Sequence, residues 1–131
     1  MKRYKFLCLG LSAGILFSVC KAEEPIKTIA FGSCLKQTRP QPIWESVRAG
    51  KPDVFVLLGD NIYGDTRDME KLKGKWDTFD AFPEFKKLRA DCRLLGIWDD
   101  PDYGENDAGR EFPKKAESQK LFLDFLGEPQ G

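Results

Sequence analysis

Five consecutive apolar residues, Val54-Phe55-Val56-Leu57-Leu58, stand between Pro52-Asp53 and Gly59-Asp60. A run this short, closed at both ends by turn residues, has no polar face to give to solvent. It reads as a strand buried on both sides, the kind found in parallel sheets. Two further β-rich segments flank it in sequence: Ile26 to Phe31, which alternates, and Arg93 to Trp98. Helical patterns fall between and after them. Pro40 and Pro42 precede a short helix over 43–48 that Gly50 stops. Residues 68–79 and 83–90 read as two helices separated by Pro83, and 114–126 as an amphipathic helix ended by Gly127. The order β-α-β-α-α-β-loop-α predicts an α/β fold with a mostly parallel sheet. Three strands make a small sheet with two faces to cover.

In open α/β sheets, ligands bind at the carboxyl ends of the strands. Three loops fall there: Gly32-Ser33-Cys34, Gly59-Asp60-Asn61-Ile62-Tyr63-Gly64-Asp65, and Trp98-Asp99-Asp100 running on to Asp107. The last packs five carboxylates into the ten residues from Trp98 to Asp107. Carboxylates this close repel one another unless a cation or a proton intervenes. A metal ion removes the conflict and uses the same oxygens as ligands. A cysteine thiolate and a tyrosine phenolate in the same crevice suit iron better than magnesium. Each piece alone also has a plain structural reading. Gly-Asp after a strand is often a turn or an N-cap. Residues 99–107 also fit a solvated acidic loop or a calcium-stabilised turn. A lone Cys34 fits a small buried hydrophobe. Trp44, Trp76 and Trp98 read as core or rim aromatics, and Lys71, Lys73 and Lys75 as a solvated helix face.

Residues 1–22 read as a signal peptide. Lys2, Arg3 and Lys5 precede an apolar stretch from Phe6 to Val19, too short for a comfortable membrane span, with a cut after Ala22. Lipid attachment at Cys20 is disfavoured by the bulk of Val19 before it. The reading implies export to a periplasmic or extracellular location. Loss of this leader takes the formal charge from 0 to −4. That balance argues against nucleic acid as a specific partner, and no later segment is long and apolar enough to span a membrane. Two cysteines remain, Cys34 after one strand and Cys92 before another. At opposite ends of parallel strands they are too far apart to bridge, so two separate thiols are expected.

At its three loops the sequence resembles the alkaline phosphatase D-like (PhoD-like) metallophosphatases, within the calcineurin-like phosphoesterase fold. The residues that carry the resemblance are Phe31-Gly32-Ser33-Cys34, the stretch from Lys51 to Asp65, and Trp98-Asp99-Asp100 with Asp102-Tyr103-Gly104 and Asn106-Asp107. The resemblance implies a layered α/β/β/α sandwich and hydrolysis of small phosphate mono- or diesters at a centre of iron and calcium. Asp60 would be a ligand shared between metals, Cys34 and Tyr63 ligands to iron, and Asp100 a ligand to the second metal. Asp99 and Asn106 would be lesser contributors. The metals would polarise the phosphoryl oxygen and activate a water for in-line attack.

Two departures stand out. The family has a histidine after the Asp-Asp pair, where this chain has Pro101, and the sequence contains no histidine at all. Proline can neither contact a phosphate nor protonate a leaving group. The family also runs on into a second half that supplies further metal-binding histidines, so 23–131 is expected to be the N-terminal, truncated portion of such a domain. Hydrolysis by this chain is then impaired or absent. The alternative is a non-catalytic remnant that binds metal, phosphate ester or a partner chain. A cysteine-phosphatase loop is out of register, because Arg39 follows Cys34 after only four residues. No GxxxxGK[ST] or GxGxxG nucleotide loop occurs.

Overall fold

A computed structural model describes residues 25–129; the leader reading over 1–22, with Cys8 and Cys20, lies outside the described residues. The element order is β1 (Ile29–Gly32), α1 (Ile43–Ala49), β2 (Val54–Leu58), α2 (Met69–Asp80), α3 (Pro83–Asp91), β3 (Arg93–Ile97), α4 (Asp100–Tyr103) and α5 (Lys115–Leu126). The three strands form one parallel sheet in the order β1-β2-β3. Ile29 pairs with Val54 through to Gly32 with Leu57, and Val54 pairs with Arg93 through to Leu58 with Ile97.

The first strand starts three residues later than the alternation at Ile26 predicts. Asp53 is the cause. Its carboxylate accepts the Lys27 and Thr28 N–H groups at 2.7 and 2.8 Å, where ladder bonds would otherwise begin. The helices follow their sequence signals. Asp68 caps α2 by accepting from Glu70 and Lys71. Pro83 opens α3. Gly127 closes α5 in the left-handed conformation at φ 79°.

Side chains of a strand alternate between faces. Ala30, Phe55, Leu57 and Leu94 share the face that meets the helices. There they join Trp44 of α1, Leu72, Trp76 and Phe79 of α2, Phe85 and Leu88 of α3, and Phe122 and Phe125 of α5. The core is mostly aromatic: ring centroids lie 4.4 Å apart for Phe79 and Phe85 and 4.5 Å for Trp76 and Phe125. The other face is largely open at its edges, although Val54 in its central strand is buried. Ile29, Phe31 and Ile97 are 58, 70 and 57% exposed. The strand order explains this asymmetry. Two right-handed crossovers that step in the same direction place all their helices on one side of the sheet.

Cys34 lies just past the end of β1 and Cys92 just before the start of β3, with β2 between them. Both are free thiols.

Candidate metal centre

All three loops emerge at the carboxyl end of the sheet. Gly59 turns the chain out of β2 at φ 93°, a conformation natural only to glycine. A Cβ there would come within 3.1 Å of the Asp99 Cβ, so the two acidic loops approach each other closely at this point. Asp60 follows at φ 51° and Cys34 sits at φ 59°, both in the left-handed region that costs a side chain roughly 1 kcal/mol or more. Hydrogen bonds between the loops hold them there. Cys34 N–H donates to the Gly59 carbonyl at 3.3 Å and Leu35 N–H to the Asp60 carbonyl at 2.9 Å.

Asp60 is the meeting point. The Cys34 thiol donates to its Oδ2 at 3.5 Å and the Tyr63 hydroxyl donates to the same atom at 3.4 Å. One carboxylate oxygen from each of Asp60, Asp99 and Asp100 lies within 4.8 Å of the others. That spacing can bring three anionic oxygens onto one cation. Burial, then the neighbouring Asp60 carboxylate, raises the Tyr63 phenol above its ordinary pKa. The uncharged phenol therefore serves as a donor to Asp60 here, and a cation beside it would favour the phenolate.

The second acidic loop is not a plain loop. Asp99 caps a four-residue helical turn, α4, in a reciprocal arrangement with Asp102. Pro101 occupies its first turn, where a missing N–H removes no helical bond. Its carbonyl accepts the Gly64 N–H at 2.8 Å. A Cβ on Gly64 would run into that carbonyl and into Leu72, which explains the glycine.

Asp102 was not singled out as a site residue by the sequence, yet it organises the centre. It is fully buried. Its Oδ1 accepts the Ile62 N–H at 2.7 Å, and its Oδ2 accepts the Asp99 N–H at 2.9 Å and the Asn61 amide at 3.0 Å. Asn61 also reaches the Ile97 carbonyl at 2.9 Å. Burial pushes the Asp102 carboxyl up to about 7, against the pull of these N–H donors. Its D-x-x-D spacing with Asp99 was the one local signal that could have revealed it.

Asn106 does not join the cluster. It is exposed and donates to Asp107 at 2.8 Å, while the Asp107 N–H is held by the Asp100 carboxylate. Lys75 departs from the solvated face expected of it: its ammonium donates to the carbonyls of Tyr63 at 2.9 Å and Gly64 at 2.5 Å.

A cavity of about 280 Å³ opens beside Cys34, lined among others by Gln41, Trp44, Phe55 and Asn61. Among the buried polar atoms near it, Trp44 Nε1 and Asn61 Oδ1 have no hydrogen-bond partner. Another cavity of about 260 Å³, between α2, α3 and α5, lies away from the strand ends and touches none of these ligands. No helix among the described residues is long and apolar enough to cross a membrane. Comparison with protein-family models, with curated proteins and with solved structures returned no match.

Proposed function

We propose that this chain is a metal-binding domain of the alkaline phosphatase D-like type, built for phosphate-ester hydrolysis but impaired in that chemistry. The observation that carries the reading is the convergence of the Asp60, Asp99 and Asp100 carboxylates, with the Cys34 thiol and Tyr63 phenol both on Asp60. The donor set fits a cation. Three carboxylates suit a hard ion, and the added sulfur and phenol favour iron, with calcium the second candidate at Asp100. Asp60 would be the shared ligand, joined by Cys34 and Tyr63 and by Asp99 and Asp100. Asn106 belongs to the support of Asp107 instead.

A bound cation would supply Lewis acidity to a phosphoryl oxygen and lower the pKa of a water. The chain's own residues hold the ligands in place, Asp102 and the inter-loop backbone bonds fixing the loops that carry them. The layered α/β/β/α sandwich belongs to the same proposal: the open face bearing Phe31 and Ile97 is the surface a second sheet would cover. So does export, which rests on residues 1–22.

A second reading, metal or phosphate-ester binding without catalysis, is favoured by Pro101. It is buried, its carbonyl is occupied by Gly64, and it has no proton to give a leaving group. The test is to titrate the metal-free full chain with iron and with calcium, then to assay an aryl phosphate monoester and a diester. Metal uptake that Asp60→Asn abolishes supports the metal centre. Hydrolysis gained by Pro101→His joined to the histidine-bearing second half of the family favours the impaired enzyme, and uptake with no hydrolysis in that form favours the binder. No metal uptake by the wild-type chain sinks both.

A further inference from the structure

Gln37 lies between β1 and α1, and only 4% of it is exposed. Its side-chain amide meets Tyr63 twice. Oε1 accepts the Tyr63 N–H at 3.1 Å and Nε2 donates to the Tyr63 carbonyl at 3.3 Å. An N–H needs an acceptor and a carbonyl needs a donor, so the backbone of Tyr63 decides which way this amide faces. Two antiparallel bonds to one residue fix its rotation as well as its position, which a single bond does not. Lys75 adds a third contact, on the Tyr63 carbonyl from α2.

The clamp crosses between the two loops that carry the sulfur and the phenol. The Cys34 loop is joined to the Asp60 loop by the Cys34–Gly59 and Leu35–Asp60 backbone bonds. Gln37 extends that seam to Tyr63, so that thiol and phenol arrive at the same oxygen of Asp60. Phenol reach depends on the backbone of Tyr63. A shift of about 1 Å is enough to take a ligand out of bonding distance of a cation, whose shells tolerate about 0.2 Å.

We propose that Gln37 is a positioning residue that holds Tyr63 in register with Cys34 by binding both backbone groups of Tyr63, and thereby brings the phenol onto a cation held by Asp60, Asp99 and Asp100. This rests on the metal-binding reading above.

The experiment uses the full chain with ferric iron as the probe and two readouts. In the metal-free protein, hydrogen exchange of the Tyr63 amide reports the clamp. In the iron-loaded protein, the phenolate-to-iron absorption per bound iron reports whether the phenol is a ligand, with Tyr63→Phe assigning that band. Gln37→Ala is expected to speed Tyr63 exchange about tenfold and to lose most of the band while iron stoichiometry holds. Gln37→Glu covers a failure of the alanine variant to fold. It keeps an acceptor for the Tyr63 N–H and sets a carboxylate oxygen against the Tyr63 carbonyl, so exchange stays slow and the band weakens. Unchanged exchange and an unchanged band in both variants overturn the proposal. Wild type that takes up no iron, with exchange still faster in Gln37→Ala, overturns the metal reading and the positioning role with it, and leaves Gln37 as a loop clamp only.

Discussion

The Asn61 side-chain amide donates to the Asp102 carboxylate at 3.0 Å, and both side chains are fully buried. The bond joins the loop after β2 to the turn after β3, behind the cluster of Asp60, Asp99 and Asp100. Three N–H donors converge on the buried carboxyl and offset part of the cost of burial, which still holds its pKa up at about 7.

Removing that carboxylate strands its donors. Asp102→Ala is expected to lower unfolding free energy by about 3–5 kcal/mol, because buried N–H groups are left without acceptors. Asp102→Asn keeps one acceptor and sets a donor against donors, so a loss of about 1–2 kcal/mol is expected. Asn106→Ala, at an exposed site, should stay within about 0.5 kcal/mol of wild type. Urea unfolding of the metal-free chains measures all three.

The two thiols should differ in reactivity. Cys34 is exposed, whereas Cys92 is partly buried and burial raises its thiol pKa. Thiolate is the reactive form, so Cys34 should alkylate well before Cys92 near neutral pH. Added iron should protect Cys34 and leave Cys92 unaffected. Peptide mass mapping over a time course of alkylation gives both rates, and equal protection of the two would remove Cys34 from the centre.

Acid should loosen the start of the sheet. The Lys27 and Thr28 N–H groups hold the Asp53 carboxyl below its ordinary pKa. A depressed folded pKa contributes stability that is present above the unfolded value and lost as pH falls through the folded one. Asp53→Asn should therefore melt lower than wild type near neutral pH, with the gap closing below about pH 4. Thermal melts in a pH series decide this, and a gap that is constant down to about pH 2 would count against the carboxylate's role.

The open sheet face should behave as a sticky surface. Phe31 and Ile97 lie outside the aromatic core and are mostly exposed. Phe31→Thr with Ile97→Thr should reduce binding of an apolar dye and slow aggregation. The unfolding free energy should move by less than about 1 kcal/mol. A larger loss of stability would mean that these side chains pack in the folded chain.

Much of the framework was legible because it rests on local pattern. The apolar run 54–58, Pro83, Asp68 and Gly127 placed β2 and the helix ends to within a residue or so. Asp60, Asp99 and Asp100 were legible as neighbours because parallel strands send their following loops to one end. The late start of β1 was not, because it depends on Asp53, some 25 residues away in sequence. Gln37 and Lys75 carried no signal either. Each acts on the backbone of Tyr63, and nothing in a glutamine or a lysine announces a distant carbonyl.

The sequence by itself determined the order of strands and helices, the end of the sheet at which the acidic loops gather, and that none of the candidate ligands in 1–131 is a histidine. Only the tertiary structure decided which acid does what. Asp99, Asp100, Asp102, Glu105 and Asp107 are alike as letters, but the fold sorts them. Asp99 and Asp100 face Asp60, Asp102 is interred, Glu105 pairs with Arg67 at 2.7 Å, and Asp107 is held by Asn106. The physical reason is desolvation. A carboxylate can be taken out of water only where donors meet it, and two of the three that meet Asp102 come from Asn61 and Ile62, about 40 residues earlier in the chain.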